Sequence, residues 1–588
     1  MTNIHPAWIL LFGALFVPFI KGKAKNWYMI LLPAVAFYMI SQLEIGNYWQ
    51  IHFFGYDITL LRVDKLSKIF GYIFTINAFA AFIYAFYLKD NTQHISALIY
   101  IGSALGAVFA GDLISLYFHW EVMAVASTFL ILSRRTKKAM GAGFRYIMMH
   151  IFGGLCLLAG IVIYISNTGS VDFNAMTSHN LGTYMILIGL LVNAAAPPFS
   201  AWLSDAYPEA TVTGGIILSA YTTKTAVYTL IRGFPGWEIL IVVGCVMTIY
   251  GIIYALLEND MRRILAYSII NQVGFMVTGV GIGTAMSLNG SSAHAFAHII
   301  YKSLLWMSAG SVLYMTGKSK CTELGGLYKT MPLTLIFGAI GAMAISSFPG
   351  TSGFTTKSLI IDGSVHQHLF WVWLVLEIAS AGVFLHAGIK FPYFVFFAKD
   401  SGLRPGETNK SMLIAMGIMS FICIFLGIYP KPLYDILPFA MEHYEANTFQ
   451  HIATQVQLLM FSALAFFVFL ALLKRTNTIA LDTDWFYRKG GRLFYYIMDK
   501  GLNSLNRAAD RVFVGGIAGS ISRFSKNGPA NLMLMFYVPY WNIIGLDTSQ
   551  RQAEKEKLYQ RYRVGALQIG VMAFFVGFYI CLMFFLRL

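Results

Sequence analysis

Charge is what this sequence has least of. Only 12% of its 588 residues are Asp, Glu, Lys or Arg, while 57% are hydrophobic and the mean hydropathy is +0.64. Average soluble domains carry about a quarter charged residues. A chain this long and this poor in charge is not a soluble globular enzyme; it reads as an all-α polytopic membrane protein. Acidic residues are scarcer than basic ones, 27 against 42, for a net charge of +15. The excess does not call for nucleic acid, because the Lys and Arg lie in short loops between apolar runs, where the positive-inside rule puts them. Cysteine is also sparse. Cys156, Cys245, Cys321, Cys423 and Cys581 are scattered, and no pair has the spacing of a metal or iron–sulfur site, so no cofactor is expected in this chain. The Gly-rich stretch at 514–522, VGGIAGSIS, is followed by no GKS or GKT and is no P-loop. No residues suggest nucleophilic catalysis, so no catalytic group is assigned. The first apolar run lacks a charged leader and a small-residue cleavage site and reads as a mature first helix.

What the sequence has is apolar runs, about sixteen of them at the roughly 17–25 residues that span a bilayer. They lie near 7–20, 27–43, 66–88, 95–111, 113–132, 144–166, 181–201, 210–232, 237–257, 262–284, 291–315, 332–348, 369–397, 411–429, 455–473 and 564–586. Basic clusters follow the odd-numbered runs: Lys21, Lys23 and Lys25; Arg134, Arg135, Lys137 and Lys138; Arg262 and Arg263; Lys318 and Lys320; Lys399, Arg404 and Lys410. The opposite loops are neutral or acidic, as in DILPFAMEHYEAN with Asp435, Glu442 and Glu445. The expectation is a prokaryotic-type plasma membrane protein with both termini on the outer side.

Residues 474–563 break this pattern. They are polar and basic, with amphipathic pieces such as WFYRKGGRLFYYIMDKGLNSLNRAADRVF, and read as a helical arm lying along the membrane surface before one last anchor. Two apolar segments are interrupted by Gly and Pro in comparable ways, NAAAPPFSAWLSDAYPEATVTGG at 193–215 and SSFPGTSGFTTKS at 346–358. Paired broken segments point to an inverted-repeat transporter whose pathway runs past the breaks.

Ionisable residues inside spans are costly, and each is a functional candidate by default. Glu121 lies in the fifth run, Lys224 in the eighth, Lys357 just past the second break, and His386 and Lys390 in the thirteenth. In HAFAHIIYKSLLW, His294, His298 and Lys302 recur every fourth residue and so share one helix face. Such a set suits proton transfer. Burial makes a lysine release its proton more readily, histidine titrates near neutrality, and a Glu near a Lys can hold or release its charge. Singly, any of them could instead pin two helices together, and Lys390 could snorkel toward a helix end. Asp64, in LRVDKLSKIF, sits where it would cap a helix.

The stretches ENDMRRILAYSIINQVGF, HAFAHIIYKSLLWMSAGSV, SSFPGTSGFTTKS, PPFSAWLSDAYPEATVTGG and RVDKLSKIF resemble, in matching order over about residues 60–400, the signatures of the antiporter-like subunits. These occur in respiratory complex I, in Mrp-type cation/proton antiporters and in membrane-bound hydrogenases. The resemblance implies a fourteen-helix core with two inverted five-helix repeats, each with a broken helix, and an extension like residues 474–588. It places the family's essential glutamate at Glu121, its central lysines and histidines at Lys224, His294, His298 and Lys302, and its exit-side lysine at Lys357. One position departs. Members usually carry a lysine before the first broken segment; here it is Asn193, in LLVNAAAPPF, which cannot exchange a proton at physiological pH. Either Lys224 or water takes over, or the first half-channel is changed or silent.

The organisation this implies is N-terminal spans at 1–93, repeats at 94–235 and 236–400, further spans at 401–473, the arm at 474–563 and an anchor at 564–588. The expected function is proton translocation within a multisubunit membrane complex. The Mrp-like branch, moving protons and in exchange sodium, is favoured by FLHAGIKFPYFVFF and LDTDWFYRKGGR. The alternatives are a pumping subunit of a redox-driven complex I-like or hydrogenase-like enzyme, a membrane partner in inorganic-carbon uptake, and a scaffold with a silenced half-channel. The partners implied are other membrane subunits and the lipid bilayer.

Overall fold

The structure is a computed structural model that describes residues 4–53, 55–441, 444–472, 475–476, 481–562 and 569–585. Glu442, residue 473 of the fifteenth run, parts of the expected arm (474, 477–480 and 563), and the edges of the expected anchor (564–568 and 586–588) lie outside the described residues. The chain divides into two units, one up to Asp484 and one from Trp485 on.

The first unit opens with α1 (Pro6–Phe16) and α2 (Gly22–Gln42). An antiparallel hairpin follows, β1 (Gly46–Phe53) and β2 (Tyr56–Val63), with Gly46 opposite Val63 and Phe53 opposite Tyr56. This hairpin departs from the all-helical expectation. Residues 58–63 bury Ile58, Leu61 and Val63 while Arg62 is only half-buried, an edge-like alternation too short to register as a span. Gly55, at φ +82°, supplies the turn conformation that a Cβ would strain. Asp64 then caps α3 (Lys65–Tyr84) as expected. Its Oδ1 accepts the Ser67 amide at 2.8 Å, and the Ser67 hydroxyl accepts the Asp64 amide in return.

The helical core continues as α4 (Asn91–Phe109), α5 (Leu113–Leu132), α6 (Lys137–Thr168), α7 (Leu181–Asn193), α8 (Ala201–Ala206), α9 (Val212–Leu218), α10 (Thr222–Gly233), α11 (Ile239–Leu257), α12 (Met261–Ile282), α13 (Ala285–Thr316), α14 (Pro332–Ile345), α15 (Ser352–His366) and α16 (Phe370–Val383). Two π-helical stretches, Phe384–Lys390 and Tyr393–Phe397, extend α16 before α17 (Lys410–Ile428), α18 (Lys431–Tyr434) and α19 (Phe449–Val468). Among the described residues, nine helices are long and apolar enough to cross a membrane, and four shorter apolar helices accompany them. The run read as one span at 210–232 is instead α9 and α10, interrupted at Ser219–Tyr221. The 32-residue α13 is not among the nine. Its Ser, Asn, His and Lys dilute its hydropathy, and it is sheathed by protein, buried without interruption from Ser287 to Val312.

One local pattern occurs twice. Helices α4 and α11 are both 19 residues long, α6 and α13 both 32, and each pair is offset by 148 residues (239 − 91 and 285 − 137). Asp112 caps α5 and bridges to Asp172; at the same offset Asp260 caps α12 and bridges to Lys320. Thr136 and Thr284 cap α6 and α13, and left-handed Gly169 and Gly317 end them. The breaks match as well. After α7, Ala195 takes a positive φ of 60°, and the amides of Ala195 and Ala196 bond the carbonyls of Val192 and Leu191. After α14, Ser347 has φ 57°, and the amides of Ser347 and Phe348 bond those of Ala344 and Met343. The same backbone solution ends both helices short of full span and frees carbonyls toward the interior.

The second unit begins with a helical run that starts at Asp484 and continues to Lys526, with π-bonded stretches at Ile497–Leu502 and Asp510–Ala518. At 1.5 Å per residue it is about 65 Å long. Trp485, Phe486, Leu493, Phe494 and Ile497 are exposed along it, with Arg488, Lys489 and Arg492 between them, the composition of a helix lying in an interface. Further helices span Gly528–Ile543, Thr548–Arg561 and Ile569–Phe585.

Candidate proton-transfer site

The three titratable residues of α13 face the interior with no exposed surface. His294 is fully engaged: Nδ1 lies 3.1 Å from Thr356 Oγ1 on α15, and Nε2 lies 3.0 Å from Gln272 Oε1 on α12. The Tyr301 hydroxyl donates to the same Gln272 oxygen at 3.0 Å, and Gln272 Nε2 donates to Asn271 Oδ1 at 2.6 Å. One turn on, His298 stacks toward His294 with ring centroids 6.3 Å apart, yet neither of its nitrogens has a protein partner among the described residues. A turn further, Lys302 Nζ has none either. A buried polar group without a partner costs free energy. On α13 two such groups follow in succession on one helix face.

Lys224 lies at the start of α10, just past the interruption at 219–221. Its ammonium donates to the freed Ser219 carbonyl at 2.6 Å and to Thr223 Oγ1 at 3.0 Å, and it stands within electrostatic reach of His298. Lys357, past the second break, donates to the Ile345 carbonyl at the end of α14 at 3.2 Å and sits 5.0 Å from the centroid of the Phe275 ring. Both lysines thus use carbonyls released where a helix is interrupted. Lys224, His298, Lys302, His294 and Lys357 are therefore gathered around one helix, α13, with its neighbours.

Lys357 also opens onto a cavity of about 250 Å³ lined by Asp362, Glu377, Trp373, His451 and Gln455. Glu377 is in electrostatic reach of Lys357, His451 Nε2 lies 3.7 Å from Asp362 Oδ2, and the Tyr444 hydroxyl also donates to Asp362. Sequence reading missed Asp362, Glu377, His451 and Tyr444. Asp362 belongs to the helix that follows the second break and Glu377 to the helix after that, while Tyr444 comes from a loop and His451 from α19, joined to the site only by the fold.

Glu121 on α5 is half-buried and forms no ion pair among the described residues, consistent with the loss of the family lysine at position 193. Its carboxylate occupies the space beside α6 that a side chain at Gly154 would fill. Asn193, at the end of α7, is fully buried, and its Oδ1 lies 2.9 Å from His150 Nδ1 on α6.

His386 and Lys390 fall in the π-helical stretch after α16. His386 Nδ1 donates to the Gly382 carbonyl at 2.8 Å. Lys390 gives all three ammonium protons to backbone carbonyls at the end of α11: Ala255 at 2.6 Å, Leu256 at 2.9 Å and Glu258 at 2.7 Å. That is the arrangement of a cation capping a helix C-terminus. Asp482, also missed in the sequence, accepts from Tyr267 at 2.6 Å, from Tyr250 and from Ser204, tying the stretch before Asp484 to α8, α11 and α12. Arg262, read as a loop charge, is buried. It donates to the carbonyls of Pro208, Ala210 and Thr211 and stacks 5.2 Å from Trp306. No group of three metal-ligating side chains occurs among the described residues.

Residues 110–382 match the family model described as NADH:quinone oxidoreductase/Mrp antiporter, transmembrane. Over 511 residues the chain is 28% identical to an Na(+)/H(+) antiporter subunit from Alkalihalophilus pseudofirmus, covering 75% of this chain and 63% of that one. It therefore spans about three fifths of that relative's length. Two solved structures share the fold. One, from the membrane-bound sulfane sulfur reductase, an archaeal respiratory membrane complex, superposes with a TM-score of 0.72 at 22% identity, over 91% of this chain and 99% of that one. The other, from the Mrp complex of Dietzia sp., has a TM-score of 0.67 at 19% identity, over 78% and 100%.

Proposed function

We propose that this chain, whose residues 110–382 match the NADH:quinone oxidoreductase/Mrp antiporter family model, is the proton-translocating antiporter-like subunit of a multisubunit membrane complex. The observation that carries this is the pair of unpartnered buried groups on α13, His298 and Lys302, held between Lys224 on one side and His294 and Lys357 on the other. An isolated charge in the low-dielectric interior is very unfavourable, so a proton crosses by hopping between groups that take it up and release it in turn. Lys224 receives from the Glu121 side. His298 and Lys302 pass the proton along α13. His294, tautomerised through Gln272 and Tyr301, hands it toward Lys357, which releases it into the cavity shared with Glu377, Asp362 and His451. Repeats at 94–235 and 236–400, inverted with respect to one another, account for the matching caps and breaks and give the pathway two half-channels. The basic loops support an orientation with both termini on the outer side of a prokaryotic plasma membrane. In an Mrp-like complex the proton flow is exchanged against sodium, which the 28% identity to an Na(+)/H(+) antiporter protein supports.

A redox-driven reading is the second. The match to the archaeal respiratory chain takes in 91% of this chain and so reaches into the unit after Asp484, and the long surface helix there suits bracing against further subunits. Purification of the tagged chain from its native membrane in mild detergent, with the co-purifying subunits identified by mass spectrometry, separates the two. Small membrane subunits alone support gradient-driven exchange, and iron–sulfur or flavin subunits support the redox-driven pump. A chain recovered alone, with Lys357→Ala leaving ion movement in vesicles unchanged, would sink both.

A further inference from the structure

The first half of the molecule lacks the lysine that should serve Glu121, and the structure shows what stands in its place. At the 148-residue offset that relates α6 to α13, Tyr146, His150 and Gly154 occupy the positions of His294, His298 and Lys302. His150 is thus the counterpart of the unpartnered His298. It is 1% exposed, its Nδ1 is bonded to Asn193 Oδ1 at 2.9 Å, and its Nε2 has no protein partner among the described residues. Nδ1–H donates to the amide oxygen, which fixes the tautomer and leaves the Nε2 lone pair as a proton acceptor. The ring is clamped between Tyr146 and Trp202, with centroid distances of 4.2 and 4.6 Å. Where α13 carries Lys302, α6 carries Gly154, and the Glu121 carboxylate from α5 fills that space. At the matching position on α12 stands Ile269, an apolar residue. The ionisable group has moved from one helix to its neighbour while its place in the repeat is kept. The Glu121 carboxylate, lying against Gly154, is therefore placed about one turn of α6 from His150, a rise of about 6 Å.

From these observations we infer that His150, oriented by Asn193, is a proton carrier of the first half-channel, taking over from the absent lysine. This rests on the proton-translocation reading above. The Glu121 carboxyl gives its proton to His150 Nε2 by way of bridging water, and the imidazolium, charged for that moment, passes it inward. The way on is lined by hydroxyls. Tyr146 Oη lies 2.8 Å from Ser127 Oγ, Tyr100 Oη lies 2.6 Å from Thr222 Oγ1, and Thr223 Oγ1 is bonded to Lys224. Asn193 is then neither a lesion nor a spectator. A cation at 193 would repel the imidazolium, whereas a neutral amide orients the ring without competing for its proton.

The test is proton movement, followed with a pH-sensitive dye, in vesicles of the native membrane carrying the intact complex with His150→Asn, His150→Gln or Lys302→Ala. Asparagine keeps a donor at the Nδ1 position, and so the bond to Asn193, but has nothing at Nε2. His150→Asn should slow flux by roughly tenfold or more, as for loss of a proton-transfer group, with the complex still assembled. His150→Gln, which places a group near Nε2 that cannot be protonated, should do the same. Full flux in His150→Asn while Lys302→Ala abolishes it would overturn the inference and leave the broader reading standing. Full flux in both would overturn the reading itself. If neither His150 variant assembles, Asn193→Leu, which removes the acceptor that orients the ring, replaces them: slowed flux supports the relay and unchanged flux overturns it.

Discussion

Lys390 separates a structural from a transport role most sharply. Its place inside an apolar run makes it a pathway candidate, yet its ammonium is fully committed to the last carbonyls of α11. Those carbonyls have no intrahelical donor, and the charge sits at the negative end of the helix dipole. Replacing Lys390 by Met keeps most of the apolar stem and removes the three donated bonds. A hydrogen bond to a charged group contributes about 1.5–3 kcal/mol net. Arg475 also donates to two of the three acceptors, Leu256 at 3.3 Å and Glu258 at 2.9 Å, so only the Ala255 carbonyl loses its sole side-chain donor. With that partial cover, Lys390→Met should destabilise the complex by about 2–4 kcal/mol. Proton flux per assembled complex should stay within about twofold, a barrier change of only about 0.4 kcal/mol. Unfolding by SDS titration, read by tryptophan fluorescence, gives the first quantity and dye-reported flux the second. A stability change below about 1 kcal/mol together with a flux loss of tenfold or more would refute the capping account and return Lys390 to the pathway.

Asp64 should make acid stability steeper. Burial pushes its carboxyl up, but Arg232, the Ser67 amide and Arg62 together hold it below the ordinary range. Its folded value is therefore the lower one. The stabilisation is fully present above the unfolded value of about 3.9 and is lost as pH falls through the folded value, so the thermal midpoint should drop below about pH 4 in the wild type and respond less in Asp64→Asn. Asp64→Ala, which also removes the cap and strands the nearly buried Arg232, should cost about 3 kcal/mol or more; a near-neutral result in denaturation would count against the ion pair. Gly154→Ala should displace the Glu121 carboxylate and slow flux about as much as Glu121→Gln, roughly tenfold, and wild-type rates in vesicles would show that the carboxylate is not held there. Asp482→Asn should destabilise the first unit by about 1–3 kcal/mol, because Tyr250, Tyr267 and Ser204 lose their charged acceptor, and an unchanged thermal midpoint would contradict that.

The helices and breaks were legible because burial of apolar runs and the punctuation at Pro197, Pro198 and Pro349 are local properties of the chain. His294, His298 and Lys302 were legible because one helix face carries all three. The hairpin at 46–63 was not, since its strands are short and half-exposed. The paired breaks pointed to a repeat, but its residue-by-residue register is hidden for a different reason. Its two copies share caps, glycine stops and helix lengths but few side chains, because what repeats is a backbone solution. An internal comparison at an offset of 148 gives that register and aligns His150 with His298, where His150 otherwise looks like a lone core histidine. Asp362, Glu377, His451 and Asp482 meet their partners only across elements distant in sequence, where no spacing rule reaches.

The most direct test of proton passage along α13 is flux through the purified native complex in liposomes loaded with a pH-sensitive dye, comparing wild type with Lys302→Ala at equal incorporation. Lys302 is a fully buried lysine whose Nζ has no protein partner among the described residues and so no structural bond to lose, and its removal should abolish proton movement while the complex remains assembled. Proton movement at the wild-type rate in an intact Lys302→Ala complex would mean that protons do not pass by this route.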